Sequence, residues 1–203
     1  MRTDSKDSCT LIEFTGIPYS WKTSTMNELQ RILRGRGVIA YAIQEFRGAD
    51  EFYGKRKLTS DVNVLRALNF MREFMQVARD QRTEVVLVDR GLFDTRCWMK
   101  WLEATTEVPA QYRVIVDSLI DSVQIFATKY RIVWMDRNPL EAMRSHGEHT
   151  GQIVNFSNLS SLRLVYEKEF GDPVFPATFH KMESDSGSAQ HIAVQLASQL
   201  KLT

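Results

Sequence analysis

The residues with the clearest chemistry follow a short apolar run at 11–15, where a turn leads into a helical pattern. Gly16, Lys22 and Thr23 have the spacing of a P-loop, whose usual form is GxxxxGK followed by Ser or Thr. In such a loop backbone N–H groups surround the phosphates, the lysine reaches the β- and γ-phosphates, and the hydroxyl holds Mg²⁺. A chance turn is the alternative, because a motif is only as specific as its structural context.

Two aromatic residues depart from this motif. Tyr19 and Trp21 stand at the interior glycine positions of the common form GxPGxGK, whereas Pro18 is retained. Glycine there permits positive φ and close phosphate approach, and a bulky residue in the same conformation costs about 1 to 3 kcal/mol. Either the rings occupy phosphate space or the loop takes another path. The predicted nucleotide contacts in the loop are Gly16, Pro18, Tyr19, Ser20, Trp21, Lys22, Thr23 and Ser24.

A second polar group follows the apolar run that ends at Asp89. An Asp at the carboxyl edge of a strand in an open α/β sheet lies in the crevice where such folds bind ligands. Asp89 could hold Mg²⁺ together with Thr23, and the planar guanidinium of Arg90 suits a phosphate or an acceptor. The structural alternative is that Asp89 caps a helix while Arg90 is exposed.

These residues are placed by short apolar runs that alternate with longer helical patterns, which predicts βαβ units and a parallel sheet covered on both faces. We predict an α/β fold, a three-layer α/β/α sandwich with a five-stranded parallel sheet. The predicted strands are 10–15, 38–44, 84–89, 130–136 and 177–182. The predicted helices are 22–36, 61–81, 92–105, 109–129, 139–145, 158–170 and 188–200. The core-facing residues of the second helix are predicted to be Val64, Leu65, Leu68, Met71 and Met75.

The bulk properties exclude several classes of protein. The 203 residues predict a single domain, 1–203. A net charge of +1 gives no global attraction to nucleic acid or anionic membrane. Cys9 and Cys97 supply neither a disulfide framework nor a metal quartet. Since the chain shows no secretory signal and no membrane-length apolar run, we expect a cytoplasmic protein without a membrane partner.

A third polar group follows the apolar run that ends at Asp136 and includes Arg137 and Pro139. With it, the chain resembles, over nearly its whole length, the P-loop kinases of the thymidylate kinase and deoxynucleoside kinase-like group. The resemblance rests on the segments 16–23, Glu45, 89–91 and 135–144. It implies ATP as donor, Mg²⁺, and transfer of the γ-phosphoryl group to an acceptor, preferably a nucleoside or nucleotide.

The resemblance also implies residue roles. Glu45 would accept a proton from an acceptor hydroxyl, although it could instead be a solvated residue at a strand end. An acceptor-side segment spans 45–83, and a lid spans 137–163, in which Arg137, Arg144 and Arg163 are unranked candidates for the phosphates. The implied catalytic residues are Lys22, Glu45, Asp89, Arg90 and Arg144, the implied metal ligands are Thr23 and Asp89, and the implied cofactor contacts outside the loop are Arg137 and Arg163.

Three functions stay open: an active small-molecule kinase, a P-loop pseudoenzyme or nucleotide-sensing module, and a polynucleotide end kinase. The basic run 55–57 is the one hint of nucleic acid, and we expect a solvated loop there instead. We do not expect His146 and His149 to bind zinc, because no Cys accompanies them. Trp98 and Trp101 are interpreted as core or acceptor-pocket wall, and the helix 109–129 offers a face for a homodimer.

Overall fold

The computed structural model describes residues 9–45, 59–80, 82–106, 108–123, 125–145, 155–171, 177–185 and 187–201. The basic run 55–57, His146 and His149 lie outside these described residues. The strands are β1 Cys9–Thr15, β2 Ala40–Ile43, β3 Val85–Asp89, β4 Ala127–Asp136 and β5 Thr178–Glu183. The helices are α1 Lys22–Gly35, α2 Ser60–Ala78, α3 Leu92–Thr105, α4 Ala110–Val123, α5 Pro139–Arg144, α6 Phe156–Gly171 and α7 Ala189–Gln199.

The five strands form one parallel sheet in the order β2-β3-β1-β4-β5. β1 is central, with β3 on one side and β4 on the other. Because the strands are parallel, the carboxyl ends of these three lie side by side at one edge of the sheet, where open α/β folds bind ligands. The predicted α/β fold with a five-stranded parallel sheet is confirmed.

Apolar side chains cover both faces of this sheet. On one face, Met26 and Leu29 of α1 and Leu196 of α7 pack against Phe14 and Leu87. On the other face, α2, α3, α4 and α6 contribute to a separate buried cluster. Burial on both sides explains why β3 is buried at every position. In the described residues no helix is both long enough and apolar enough to span a bilayer.

The predicted helix 109–129 is wrong at its carboxyl end. The structure ends α4 at Val123 and begins β4 at Ala127. The amide of Phe126 donates to the carbonyl of Val123 at 3.0 Å, a turn that closes the helix. Ala127 then pairs with Cys9 of β1. Local propensity allows the residues from 127 onward to be helix or strand, and the parallel pairing with the central strand makes them strand.

The predicted core stripe of α2 is wrong at Leu68, which is 46% exposed. Val64 and Met71 are buried as predicted. The rest of the buried face includes Phe70 and Phe74, whose rings stack with centroids 5.7 Å apart. These two rings bury more apolar surface than a leucine, so they turn the helix until Leu68 faces outward.

Candidate active site

The P-loop joins β1 to α1 at the centre of the sheet. Gly16 has a φ of 137°, and a Cβ there would lie 2.6 Å from the carbonyl oxygen of Met135 and 2.9 Å from Ser20 Oγ. Only glycine therefore lets the loop pass this close to the end of β4. Helix α1 begins at Lys22 without a side-chain cap from the described residues. The amide groups of its first turn are thus available to a phosphate.

Tyr19 and Trp21 both adopt the backbone conformation for which glycine is usual. Their φ angles are 65° and 66°, in the left-handed region. The Tyr19 ring is half-buried and packs against one of the two core clusters, while the Trp21 ring is 37% exposed. The loop therefore keeps a left-handed path at both positions, and its two rings leave an open cavity of about 640 Å³ beside Lys22.

This cavity gathers most of the residues that the sequence singles out. Its walls combine the P-loop, the ends of β2 and β3, and the start of the segment after β4. The lining residues are Pro18, Tyr19, Ser20, Trp21, Lys22, Thr23, Ser24, Glu45, Asp89, Arg90, Arg137 and Ser145.

Lys22 is buried, and its ammonium group is bound by the loop itself. Nζ donates to the carbonyl oxygens of Gly16 at 3.0 Å and Ile17 at 2.7 Å, and to Ser20 Oγ at 3.2 Å. Burial, together with the nearby charge of Arg90, lowers the pKa of Lys22 to about 8. These three contacts use all of its donors, so a bound phosphate would have to replace some of them.

Thr23 and Asp89 have the oxygen atoms and the proximity that a magnesium site needs. Thr23 Oγ1 donates to Asp89 Oδ2, whereas the buried Asp89 Oδ1 has no partner among the described residues. Burial raises the pKa of Asp89, and the charge of Lys22 opposes that rise. The described residues contain no group of three His, Cys, Asp or Glu side chains suited to a metal. The hydroxyl of Thr23 and the unpartnered Oδ1 of Asp89 fit Mg²⁺, which commonly takes one or two protein oxygens plus water and substrate phosphates.

Arg90 lies next to this pair and is not solvent-exposed. Its Nε is 3.4 Å from Glu45 Oε2 and its Nη1 is 3.5 Å from Asp94 Oδ2. Its Cζ lies 5.7 Å from the centroid of the Trp98 ring. Burial disfavours its charge, but the carboxylates of Glu45 and Asp94 raise the pKa of Arg90 overall. The N-cap of α3 is Gly91, so Asp89 does not cap that helix.

Glu45 lines both the main cavity and a smaller one beside it. Its Oε1 lies 3.7 Å from Nη1 of Arg66 in α2, and its side chain is 26% exposed. Glu45 is therefore an ion-paired residue of the cavity wall and not a solvated strand end. The smaller cavity, of about 20 Å³, is lined by Ile43, Gln44, Glu45, Asn63, Arg66, Asn69, Phe70, Arg90, Asp94 and Thr95.

The three arginines that the sequence assigns to a lid have different surroundings. Arg137 lines the main cavity and is 6% exposed. The side chain of Arg144 is 73% exposed and pairs with Glu141 at 2.6 Å. Arg163 donates two hydrogen bonds to Asp136, at 2.6 and 2.8 Å. The structure thus brings Arg137 to the cavity, whereas Arg144 and Arg163 are engaged outside it.

Comparison with known proteins gives a structural likeness and no sequence match. No protein-family model and no curated protein sequence matches the chain. A solved structure of deoxyadenosine kinase from M. mycoides, with products dCMP and a flexible dCDP bound, has a TM-score of 0.68 at 11% identity, and covers 96% of this chain and 100% of that one. A second structure of that enzyme, with bound dATP, has a TM-score of 0.64 at 12% identity, and covers 95% of this chain and 99% of that one.

The protein has the fold of a P-loop deoxynucleoside kinase. At this identity the likeness establishes the fold alone.

Within this kinase fold, sequence reasoning missed four residues at or beneath the site. Glu13 is buried in β1 and accepts hydrogen bonds from the amides of Phe93 and Asp94. A glutamate inside an otherwise apolar central strand is the signal that could have identified it. Asp94 could have been found from its position one helical turn after Arg90. No sequence signal marks the other two, Arg66 and Ser145.

Proposed function

We propose that the protein is an ATP- and Mg²⁺-dependent phosphotransferase that transfers the γ-phosphoryl group of ATP to a small acceptor, a nucleoside or nucleotide. The observation that carries this proposal is the convergence of Lys22, Thr23, Asp89, Arg90 and Arg137 on one cavity. The fold shared with a deoxyadenosine kinase whose structure has bound dATP supports a nucleotide ligand.

The donor side of the cavity is built for phosphates. The free amide groups at the start of α1 and the ammonium group of Lys22 bind the β- and γ-phosphates. Thr23 and Asp89 hold the cation, which neutralises charge on the phosphate oxygens when bound. Because phosphoryl transfer depends on in-line positioning and on positive charge around the equatorial oxygens, Lys22 and Arg137 supply the remaining charge.

The acceptor side is built around Glu45. Arg66 and Arg90 each contact a different oxygen of this carboxylate, which fixes its orientation toward the main cavity. When the acceptor is a hydroxyl, its proton passes to a Glu45 oxygen as the hydroxyl oxygen attacks the γ-phosphorus. The bond between the γ-phosphorus and the β,γ-bridging oxygen breaks, and ADP leaves with that oxygen. When the acceptor is already a phosphate, no base is required, and Arg90 binds its oxygens.

The smaller cavity favours a nucleoside over an apolar alcohol as acceptor. Gln44, Asn63 and Asn69 line it together with Arg66, so it offers amide and guanidinium groups that can pair with the edge of a base. Its volume of about 20 Å³ is below that of a base, so acceptor binding requires these side chains to move apart.

The test is transfer of label from γ-labelled ATP to pooled nucleosides, nucleoside monophosphates and aminoglycoside-type alcohols. We expect labelling of a nucleoside or nucleotide by the wild type and its loss in Lys22→Ala. Lys168→Ala, an exposed lysine of α6, is the matched control and should behave as wild type. Absence of Mg²⁺-dependent ATP binding by calorimetry would indicate a pseudoenzyme. Labelling of oligonucleotide ends alone, with affinity that falls steeply with salt, would indicate an end kinase.

A second experiment ranks the three lid arginines. Arg137→Met should lower kcat/KM by about 100-fold or more, because it removes a charge that faces the phosphates. Arg144→Met should change kcat/KM by less than about threefold, since that side chain is exposed and locally paired. Arg163→Met should mainly lower the free energy of unfolding, by about 1 to 3 kcal/mol, through the lost bonds to Asp136. A larger effect on kcat/KM from Arg163→Met than from Arg137→Met would contradict this ranking.

A further inference from the structure

The residues that replace the P-loop glycines contact Arg137 from the opposite side of the cavity. Nη1 of Arg137 donates to the carbonyl oxygen of Tyr19, and Nη2 donates to Oγ of Ser145. The Cζ atom of Arg137 lies 5.4 Å from the centroid of the Trp21 ring. The guanidinium is therefore held between the crown of the P-loop and the end of α5.

This guanidinium is a buried cation whose charge is poorly compensated. It is 6% exposed, and the two acceptors that the described residues supply to it, a carbonyl and a hydroxyl, are neutral. Its Nε is buried and has no hydrogen-bond partner in the described part of the chain. Burial lowers the pKa of Arg137, with the more distant Asp185 and Glu141 opposing. A cation in this condition, on the wall of the cavity that Lys22 lines, is suited to an anionic ligand.

The indole of Trp21 supplies what a glycine at this position cannot. The face of an aromatic ring attracts a guanidinium and, being flat, restricts its plane. Trp21 keeps the left-handed backbone that the loop needs, with a φ of 66°, so the phosphate-facing amides keep their direction while the side chain is used elsewhere. The bulky residue thus adds a contact to the loop without changing the sign of φ.

We propose that Trp21 is a positioning residue that holds Arg137 over the phosphate cradle before nucleotide binds. The Tyr19 carbonyl and the Ser145 hydroxyl fix the rotation of the guanidinium, and the ring fixes its plane. The inference rests on the proposed kinase function, since it assigns the γ-phosphate of ATP as the anion that Arg137 meets. It also reverses the ordinary expectation for a divergent P-loop: restoring the motif by Trp21→Gly should impair the site.

The test compares two substitutions that both leave a non-glycine residue at position 21, so that the strain of its positive φ is unchanged. Trp21→Leu removes the aromatic face, and Trp21→Phe retains a smaller one. Calorimetry with MgATP should show a loss of affinity of about 2- to 30-fold for Trp21→Leu, the range of a cation–π contact, and a smaller loss for Trp21→Phe. In steady-state kinetics with an acceptor that the labelling assay identifies, Trp21→Leu should lower kcat as well as raise KM, because the misplaced charge acts in transfer.

A double-mutant cycle with Arg137→Met separates positioning from a general loss of loop structure. In the Arg137→Met background, Trp21→Leu should change MgATP affinity by less than about twofold, because the ring then has no cation to position. An equal loss in both backgrounds would show that the ring acts independently of Arg137 and would overturn the inference while leaving the kinase proposal intact. Failure of the wild type to bind MgATP at all would overturn both.

Discussion

A buried glutamate beneath the site makes the stability of this protein depend on pH in a defined direction. Glu13 lies in the central strand β1 and is fully buried. Its carboxylate accepts the amide of Asp94 at 2.7 Å, the amide of Phe93 at 3.2 Å and the hydroxyl of Tyr130. Despite these donors, burial raises the pKa of Glu13 from its ordinary 4.5 to about 7. The side chain therefore keeps its proton in the folded protein under mildly acidic conditions.

The consequence for stability follows from the two pKa values. Between pH 4.5 and about 7 the unfolded chain has lost the Glu13 proton while the folded protein retains it. The contribution of Glu13 to the free energy of unfolding is then fully present below pH 4.5 and is lost as the pH rises to about 7. At 1.36 kcal/mol for each pH unit, the loss is about 3 kcal/mol.

The assay is urea unfolding at closely spaced pH values, followed by tryptophan fluorescence, for wild type and Glu13→Gln. Glutamine cannot ionise, so the difference between the two unfolding free energies should change by about 3 kcal/mol across this window. The size of this difference at any single pH is less informative. The glutamine side chain has one acceptor oxygen where the carboxylate has two, so a buried N–H group also loses its acceptor. Glu183→Gln, an exposed residue of β5, is the matched control and should follow the wild type. Parallel curves for wild type and Glu13→Gln would refute the reasoning.

Two further predictions concern the P-loop. The affinity for MgATP should fall as the pH rises above about 8, by up to about tenfold per pH unit, because the pKa of Lys22 is about 8 and its neutral amine cannot pair with phosphate. Calorimetry on the wild type and on Lys22→Arg, whose charge persists, should show this slope in the wild type alone. Gly16→Ala should lower the free energy of unfolding by about 2 to 6 kcal/mol, through its φ of 137° and the contact of the new Cβ with the Met135 carbonyl at 2.6 Å. Gly35→Ala, with open space around its Cβ, is the control, and an equal loss there would contradict the prediction.

Much of the site could be predicted because its residues are close in sequence to strand ends. The segment after β1 and the pair Asp89 and Arg90 at the end of β3 adjoin neighbouring strands of a parallel sheet. Once alternating apolar runs identify such a sheet, the carboxyl ends of its strands must share one edge. Lys22, Thr23 and Asp89 therefore meet for a reason that is visible without coordinates.

The ranking of the arginines could not be predicted, because it depends on which acceptor each side chain finds in the folded chain. Arg144 pairs with Glu141, one helical turn away, and this local contact is visible in the sequence. Arg163 of α6 reaches Asp136 at the end of β4, and Arg137 reaches the loop at Tyr19 from across the cavity. Such contacts arise from tertiary packing, which leaves no periodic signal. The error at the end of α4 has the same origin, since pairing with β1 decided it.

A glycine in a P-loop has two separable functions: it adopts a positive φ, and it leaves space where a side chain would stand. In this chain Tyr19 and Trp21 perform the first, with φ angles of 65° and 66°, at a cost of about 1 to 3 kcal/mol each. The second is met because each ring packs against a partner of its own, the core for Tyr19 and the guanidinium of Arg137 on the cavity wall for Trp21. Packing and the cation–π contact offset the backbone cost. Loss of the two glycines from the motif is therefore compatible with the shape of the loop, provided that the contacts of both rings are kept.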